Sequence, residues 1–211
     1  MSFQSIIDLN TRTVELIQQQ NYAGAIEASS KALRLQKSNL PELDNHLLST
    51  TDNGAHPGFL DRCMLLTETD DNAATAADTF IYGTAICLPP TVTDNSLVSA
   101  ILIFNSALAY QLYADTQASP VELLLRAKRL YGLAAQLRGV DRNILFQFAV
   151  INNSAVIERK IGDKNTATSY FEYLMEIFLV LIDRGCSKQL SQIRGFLNNV
   201  PKHNDNSAAA A

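Results

Sequence analysis

Residues 144–183 read ILFQFAVINNSAVIERKIGDKNTATSYFEYLMEIFLVLID, and this stretch decides the fold. Apolar residues recur at steps of three and four on both sides of the turn formers Gly162 and Asp163, which predicts two amphipathic helices. The first stripe holds Phe148, Ile151, Ala155 and Ile157, and the second holds Ala167, Phe171, Leu174, Phe178 and Leu181. A single helix pair cannot bury both stripes, so this pair requires neighbours of the same kind.

The same spacing continues outward in both directions and predicts one all-α domain over residues 1–201. Helix pairs are expected at residues 5–38, 97–138 and 142–184, with a terminal capping helix at 187–199 and a disordered tail at 202–211. Helix starts are predicted at the capping residues Asn95 or Ser96, at Ser119, which precedes Pro120, and at Asn165. Gly162 and Gly185 are predicted to end helices.

Residues 40–95 interrupt the helical pattern. Turn formers crowd residues 52–58, and two short apolar runs at 63–66 and 79–88 flank a polar stretch at 67–72. These runs predict two strands of a β-hairpin or an extended arm, inserted between the first and second repeats. We expect the second run to pack on the helices and the polar tip to move.

Composition narrows the classes of function. Apolar residues make up 47% of the chain and charged residues 18%, which is enough to form a sizeable core. A net charge of -4 argues against nucleic-acid binding, which requires basic patches. No stretch reads as a transmembrane segment and no secretory signal is recognised, so an intracellular, cytoplasmic protein is expected, or an organellar one if the chain is processed.

No catalytic or metal-binding constellation is recognised. The three histidines and three cysteines show no ligand spacing, so no metal and no cofactor are expected. Glycines punctuate helices instead of forming a phosphate loop. The sequence therefore predicts a protein that is not an enzyme.

Several stretches resemble the tetratricopeptide repeat (TPR). Residues 18–35, QQQNYAGAIEASSKALRL, are similar to the turn and second helix of that repeat. Residues 103–110, 130–134, 151–155 and 161–163 resemble a divergent TPR-like group common in diatoms. The resemblance implies antiparallel helix hairpins stacked into a right-handed α-solenoid, whose first helices line a concave face.

Mid-helix asparagines are the candidate binding residues, because asparagine is a poor helix former. Asn105 and Asn153 each stand two residues before an alanine, Ala107 or Ala155. In the resembled family such positions hydrogen-bond a peptide backbone. The candidate peptide-binding set is Asn105, Asn152, Asn153, Arg159 and Lys160, with the two cations meeting an acidic or C-terminal carboxylate. Alternatively, the asparagines hydrogen-bond within the chain itself.

Two functions follow from this pattern. The first is a non-catalytic scaffold that binds a peptide or partner subunit on its helical surface. The alternative is a structural subunit or assembly factor of a larger complex, organellar in one version, that docks through residues 40–95. Either function is compatible with a homo-oligomer.

Overall fold

The computed structural model describes residues 3–39, 81–92, 94–137 and 144–200. These residues form seven α-helices and one short 3-10 helix, and they contain no strand, so the all-α prediction is confirmed for them. The elements are α1 (Phe3–Gln18), α2 (Tyr22–Asn39), α3 (Asn95–Ala114), α4 (Val121–Gln136), α5 (Ile144–Ile161), α6 (Lys164–Asp183), α7 (Ser187–Ile193) and the 3-10 helix (Arg194–Asn198).

Aspartates cap two of the helices, one residue or two before the predicted positions. The Asp94 carboxylate accepts hydrogen bonds from first-turn amides of α3 at 2.9 and 3.1 Å, so the prediction of Asn95 or Ser96 was wrong. Asp163 caps α6 through a 3.0 Å bond from a first-turn amide, in place of Asn165. In both cases a carboxylate just outside the first turn accepts hydrogen bonds from otherwise unpaired amides. Its negative charge also interacts favourably with the positive end of the helix dipole.

The predicted Ser119 cap does not form. Helix α4 begins at Val121, and its N-cap position is Pro120, which makes no side-chain capping bond among the described residues. Pro120 has helical dihedrals of -79° and -14°, as predicted for a proline at the first helical position, but no capping hydrogen bond from the Ser119 side chain is present among the described residues.

Glycines end two helices as predicted. Gly162 follows α5 with a φ of 97°, and Gly185 follows α6 with a φ of 66°. Both angles lie in the left-handed region, where a residue without Cβ has no steric penalty.

Each helix packs against the next one along the chain, and α1 also contacts α3. One hydrophobic cluster contains buried side chains of α1, α2, α3, α4 and part of α5. A second cluster contains side chains of α5, α6, α7 and the 3-10 helix. Small residues lie where helices approach closely. Ala25, Ala127 and Ala167 are all buried, at 0%, 0% and 2% exposure.

Helix α3 lies at the centre of the first cluster. Its length and a mean hydropathy of 1.5 would suit a membrane span, contrary to our expectation that no stretch would. However, 78% of its apolar window is buried inside the protein, which is typical of the central helix of a helical core.

The second apolar run of the insertion packs on the helices but forms no strand over its described part. Residues 81–88, which we call the bound segment, have neither helical nor strand structure. Four of their side chains join the first cluster: Tyr82, Ala85, Ile86 and Leu88. The predicted partner run at 63–66 and the polar tip at 67–72 lie outside the described residues, as do the tail and the predicted end of α4 at 138–139.

Replacing Phe104 by alanine should destabilise the fold strongly. Phe104 is fully buried, and its ring centroid lies 5.6 Å from that of Tyr131 and 5.4 Å from that of Phe146. We expect Phe104→Ala to lower the free energy of unfolding by about 3–5 kcal/mol, through lost burial and a residual cavity.

Urea denaturation measures this loss. Leu125→Ala is the matched control, because Leu125 is 40% exposed. Its loss should be about 0.5 kcal/mol or less. Similar losses in the two variants would contradict the position of the core.

Candidate functional site

Two asparagine side chains hold the backbone of the bound segment. The Asn105 Oδ1 accepts from the Ile86 N–H at 2.8 Å, while its Nδ2 donates to the Ile86 carbonyl at 2.8 Å. Asn153 binds Tyr82 in the same way, accepting from its N–H at 2.8 Å and donating to its carbonyl at 3.2 Å. A side-chain amide carries a donor and an acceptor side by side, so each asparagine satisfies both backbone groups as a neighbouring strand would.

A third asparagine completes the arrangement. On α1, the Asn10 Nδ2 also donates to the Ile86 carbonyl, at 3.0 Å, and its Oδ1 accepts from the Asn105 Nδ2 at 2.9 Å. Asn10, Asn105 and Asn153 are all 0% exposed. We call these three residues the amide ladder. The ladder links α1, α3 and α5 to one stretch of non-helical chain.

Sequence analysis missed Asn10. The signal was available, because Asn10 lies mid-helix as Asn105 and Asn153 do, and asparagine is equally unfavourable there. The expected matching alanine two residues on is absent, because position 12 is arginine.

The bound segment has no helical or strand structure between its two held positions. Three residues lie between Tyr82, which Asn153 on α5 binds, and Ile86, which Asn105 on α3 binds. The segment therefore runs from α5 to α3 as irregular chain.

Side-chain burial adds to the backbone bonds. Tyr82, Ala85, Ile86 and Leu88 are 8%, 7%, 5% and 4% exposed, whereas Gly83 and Cys87 face solvent. Full burial of one large aliphatic side chain contributes about 1.5–3 kcal/mol. Packing thus holds the segment by its side chains, while the ladder sets its register.

Tyr131 hydrogen-bonds to the amide ladder through Asn153. Asn153 Nδ2 donates to the Tyr131 hydroxyl at 2.9 Å, and that hydroxyl donates to Gln111 Oε1 at 2.9 Å. Burial raises the pKa of Tyr131 well above its ordinary value, and it raises the pKa of Tyr82 to about 12. Both phenols are therefore neutral at physiological pH and add no charge to the site.

The other predicted site residues bind elsewhere in the chain. The buried Asn152 donates to Asn153 Oδ1 at 3.1 Å and accepts from Asn199 Nδ2 at 2.9 Å, so it helps to position the ladder. The Arg159 guanidinium donates to the Asn199 carbonyl at 3.0 Å. Lys160 pairs with Asp115 on the turn after α3.

Of the five predicted residues, Asn105 and Asn153 hydrogen-bond to the backbone of the bound segment. The alternative, in which the asparagines hydrogen-bond within the chain, describes the contacts that are present. Binding of a partner peptide by the five residues stays a prediction.

Features suited to catalysis are sparse. Glu158 is 1% exposed and pairs with Lys128 at 2.7 Å, which raises the pKa of Lys128 chiefly through that hydrogen bond. A surface pocket of about 120 Å³ is lined by Ala135, Gln147, Val150, Ile151 and Tyr173. Within the part of the chain that the structure describes, no three histidine, cysteine or acidic residues are placed to hold a metal ion.

No protein-family model matches the chain, and no curated protein or solved structure is detectably similar to it. The resemblance to TPR proteins therefore stays a prediction that depends on the residues quoted for it.

Removing the Asn153 amide should be costly. In Asn153→Ala, the N–H and carbonyl of Tyr82 and the Tyr131 hydroxyl all lose a buried partner. We expect the free energy of unfolding in urea to fall by at least about 2 kcal/mol, because one unsatisfied buried polar group costs about 1–3 kcal/mol.

Asn165→Ala provides the control, since Asn165 is exposed near the start of α6. It should change stability by about 0.5 kcal/mol or less. An Asn153→Ala variant as stable as this control would show that the ladder bonds contribute nothing.

Alkaline pH should destabilise the fold through Tyr131. A phenol whose pKa is higher in the folded state stabilises fully below the unfolded value, near pH 10, and this contribution is lost as pH rises further. Between pH 10 and 11.5, roughly 1.4 kcal/mol per pH unit should be lost for each such tyrosine. Over this range, the free energy of unfolding measured by urea denaturation should fall more steeply with pH for wild type than for Tyr131→Phe. The difference in slope should equal the contribution of about one tyrosine. Equal slopes would argue against a buried neutral Tyr131.

Proposed function

We propose that this protein is a non-catalytic interaction scaffold whose inner helical face binds an extended peptide of a partner protein. The observation that carries the proposal is the amide ladder, in which Asn105 and Asn153 each bind the N–H and the carbonyl of a single residue. In the free chain, the bound segment occupies this surface.

Recognition through the backbone suits a peptide receptor. Every peptide carries an N–H and a carbonyl at each residue other than proline, so paired amides can hold an extended peptide as an added strand would. Side-chain pockets then provide specificity. The bound segment shows both components within one molecule. Its backbone is held at Tyr82 and Ile86, and some of its side chains are buried while others are exposed.

We further propose that the helices form a TPR-like, right-handed α-solenoid. The support is the order of contacts, because each helix packs on its neighbour in the chain and α1 also touches α3. The ladder residues lie on α1, α3 and α5, the first helices of the three proposed pairs. This is the placement expected of residues that line a concave face.

The second candidate function is a structural subunit or assembly factor that docks through residues 40–95. One observation favours it: the C-terminal part of this insertion is anchored in the helical core through Tyr82 and Ile86. Deleting the whole insertion would remove core side chains of the bound segment. Replacing residues 46–75 by a Gly/Ser linker leaves the bound segment in place.

A synthetic peptide tests the scaffold directly. The probe is Ile-Tyr-Gly-Thr-Ala-Ile-Ser-Leu, which repeats residues 81–88 with serine for Cys87 and carries a fluorescent label. Ile86→Pro in the full chain removes the N–H that Asn105 accepts, so it should release the bound segment. By fluorescence anisotropy, we expect the probe to bind Ile86→Pro at least about 10-fold more tightly than wild type, whose tethered segment competes at roughly millimolar effective concentration.

Circular dichroism verifies that Ile86→Pro keeps its helices, and Asn165→Ala serves as the matched control with wild-type binding. Saturable binding supports the scaffold. If Ile86→Pro folds but does not bind the probe, the result argues against the scaffold function. If capture of a partner protein is lost when residues 46–75 are replaced and is not inhibited by the probe, the second candidate function is favoured.

A further inference from the structure

We infer that the ligand of the amide ladder is an uncharged, extended peptide, held by its backbone at two positions four residues apart and by apolar side chains around them. This inference rests on the proposed function and names the class of ligand that the same site takes. The bound segment defines the pattern: a large apolar residue, two residues of any type, alanine, an aliphatic residue, any residue and a second aliphatic residue.

The backbone part of the pattern comes from the ladder. Asn153 requires an N–H and a carbonyl at the first position, where Tyr82 lies, and Asn105 requires them at the fifth, where Ile86 lies. Proline lacks the N–H, so it is excluded at both. Asn10 adds a second donor to the carbonyl at the fifth position, which makes that position the more firmly held of the two.

The side-chain part comes from burial. The side chains at the first, fourth, fifth and seventh positions are enclosed to within 8% exposure, and the fourth is only a methyl group. A larger residue there would have to displace neighbouring core atoms. The second and sixth positions, Gly83 and Cys87, are exposed and therefore tolerant. After Leu88 the chain turns, with the Val92 N–H donating to the Pro89 carbonyl at 3.1 Å, so seven residues suffice.

Charge is excluded by the surroundings of the ladder. The three asparagines are fully buried, and the phenol behind Asn153 is held neutral by burial. A charged ligand side chain enclosed here would lose its hydration without an ionic partner. Arg159 and Lys160, the cations predicted to receive a carboxylate, already bind Asn199 and Asp115. The inferred ligand therefore carries no charged side chain at its enclosed positions.

The bound segment then serves as a competitor that the chain carries within itself. A partner peptide gains only the difference between its own affinity and that of the tethered segment. Because the tether raises the local concentration of the segment, only a peptide of the same pattern with stronger anchors displaces it.

N-methylated probes test the register. Four versions of the octapeptide are compared on the full-length Ile86→Pro chain: unmodified, N-methylated at the Tyr82 position, N-methylated at the Ile86 position, and N-methylated at the Gly83 position as the control. We expect methylation at the Tyr82 or the Ile86 position to weaken binding at least about 10-fold, because each removes an N–H that donates to a buried asparagine oxygen. Methylation at the exposed Gly83 position should change affinity by less than about 2-fold, since no buried bond depends on it.

The outcomes separate the two proposals. If the unmodified probe binds and all three methylations act alike, the register is wrong while the scaffold function stands. If no probe binds a folded chain, the scaffold function fails. Should Ile86→Pro not fold, the same four probes at millimolar concentration are compared by their thermal shift of the wild-type chain, where only the unmodified and control probes should raise Tm. A dimer dissociated by the probe would identify a second copy of this chain as the occupant and overturn the assignment to a partner peptide.

Discussion

The structure depends on one requirement: backbone N–H and carbonyl groups that leave water must find partners. Residues 81–88 cross the helical core without belonging to a helix or a paired strand, so their polar groups cannot rely on secondary structure. Asn105 and Asn153 meet the requirement at two of the buried residues, Ile86 and Tyr82, with bonds of 2.8–3.2 Å. Without those side chains, burial of the segment would leave backbone groups desolvated and unpaired.

The same contacts explain why unfavourable residues occupy the middle of three helices. Asparagine costs some helix propensity, and a buried unpaired amide costs more. Both costs are offset here because each ladder asparagine binds the segment, and Asn10 and Asn105 also bind each other at 2.9 Å. The ladder therefore links α1, α3 and α5 through a shared partner as well as through apolar packing. Stability of the fold and occupancy of the inner face are consequently coupled.

This coupling bears on how the protein would act as a scaffold. A surface that is completed by its own chain is fully satisfied when no partner is present, so it exposes neither its amides nor its apolar pockets. A partner must supply equivalent bonds and equivalent burial before it can replace the segment. Selectivity then comes from the competition itself, since weaker peptides of similar composition are rejected.

Local features of the chain were largely predictable. The helices follow from three- and four-residue apolar spacing, and Gly162 and Gly185 from the need for a left-handed residue at a helix end. Capping residues were less predictable, because Asp94, Ser96 and Asn95 are all chemically able to cap, and only the backbone path selects one. The hairpin prediction failed over residues 81–88 for a related reason. An apolar run of that length is compatible with a strand, with a buried helix segment or with an irregular chain held by side chains.

Apolar spacing and residue propensity establish that the chain is helical, where most helices lie, and that mid-helix asparagines require compensation. What compensates them follows from tertiary packing, because the partners of Asn153 and Asn105 are 71 and 19 residues away along the chain. Periodicity and propensity report on neighbours within one or two turns, whereas a hydrogen bond between distant segments depends on how the whole chain packs. The same limit conceals the partner of Asn10, the Ile86 carbonyl, which lies 76 residues away.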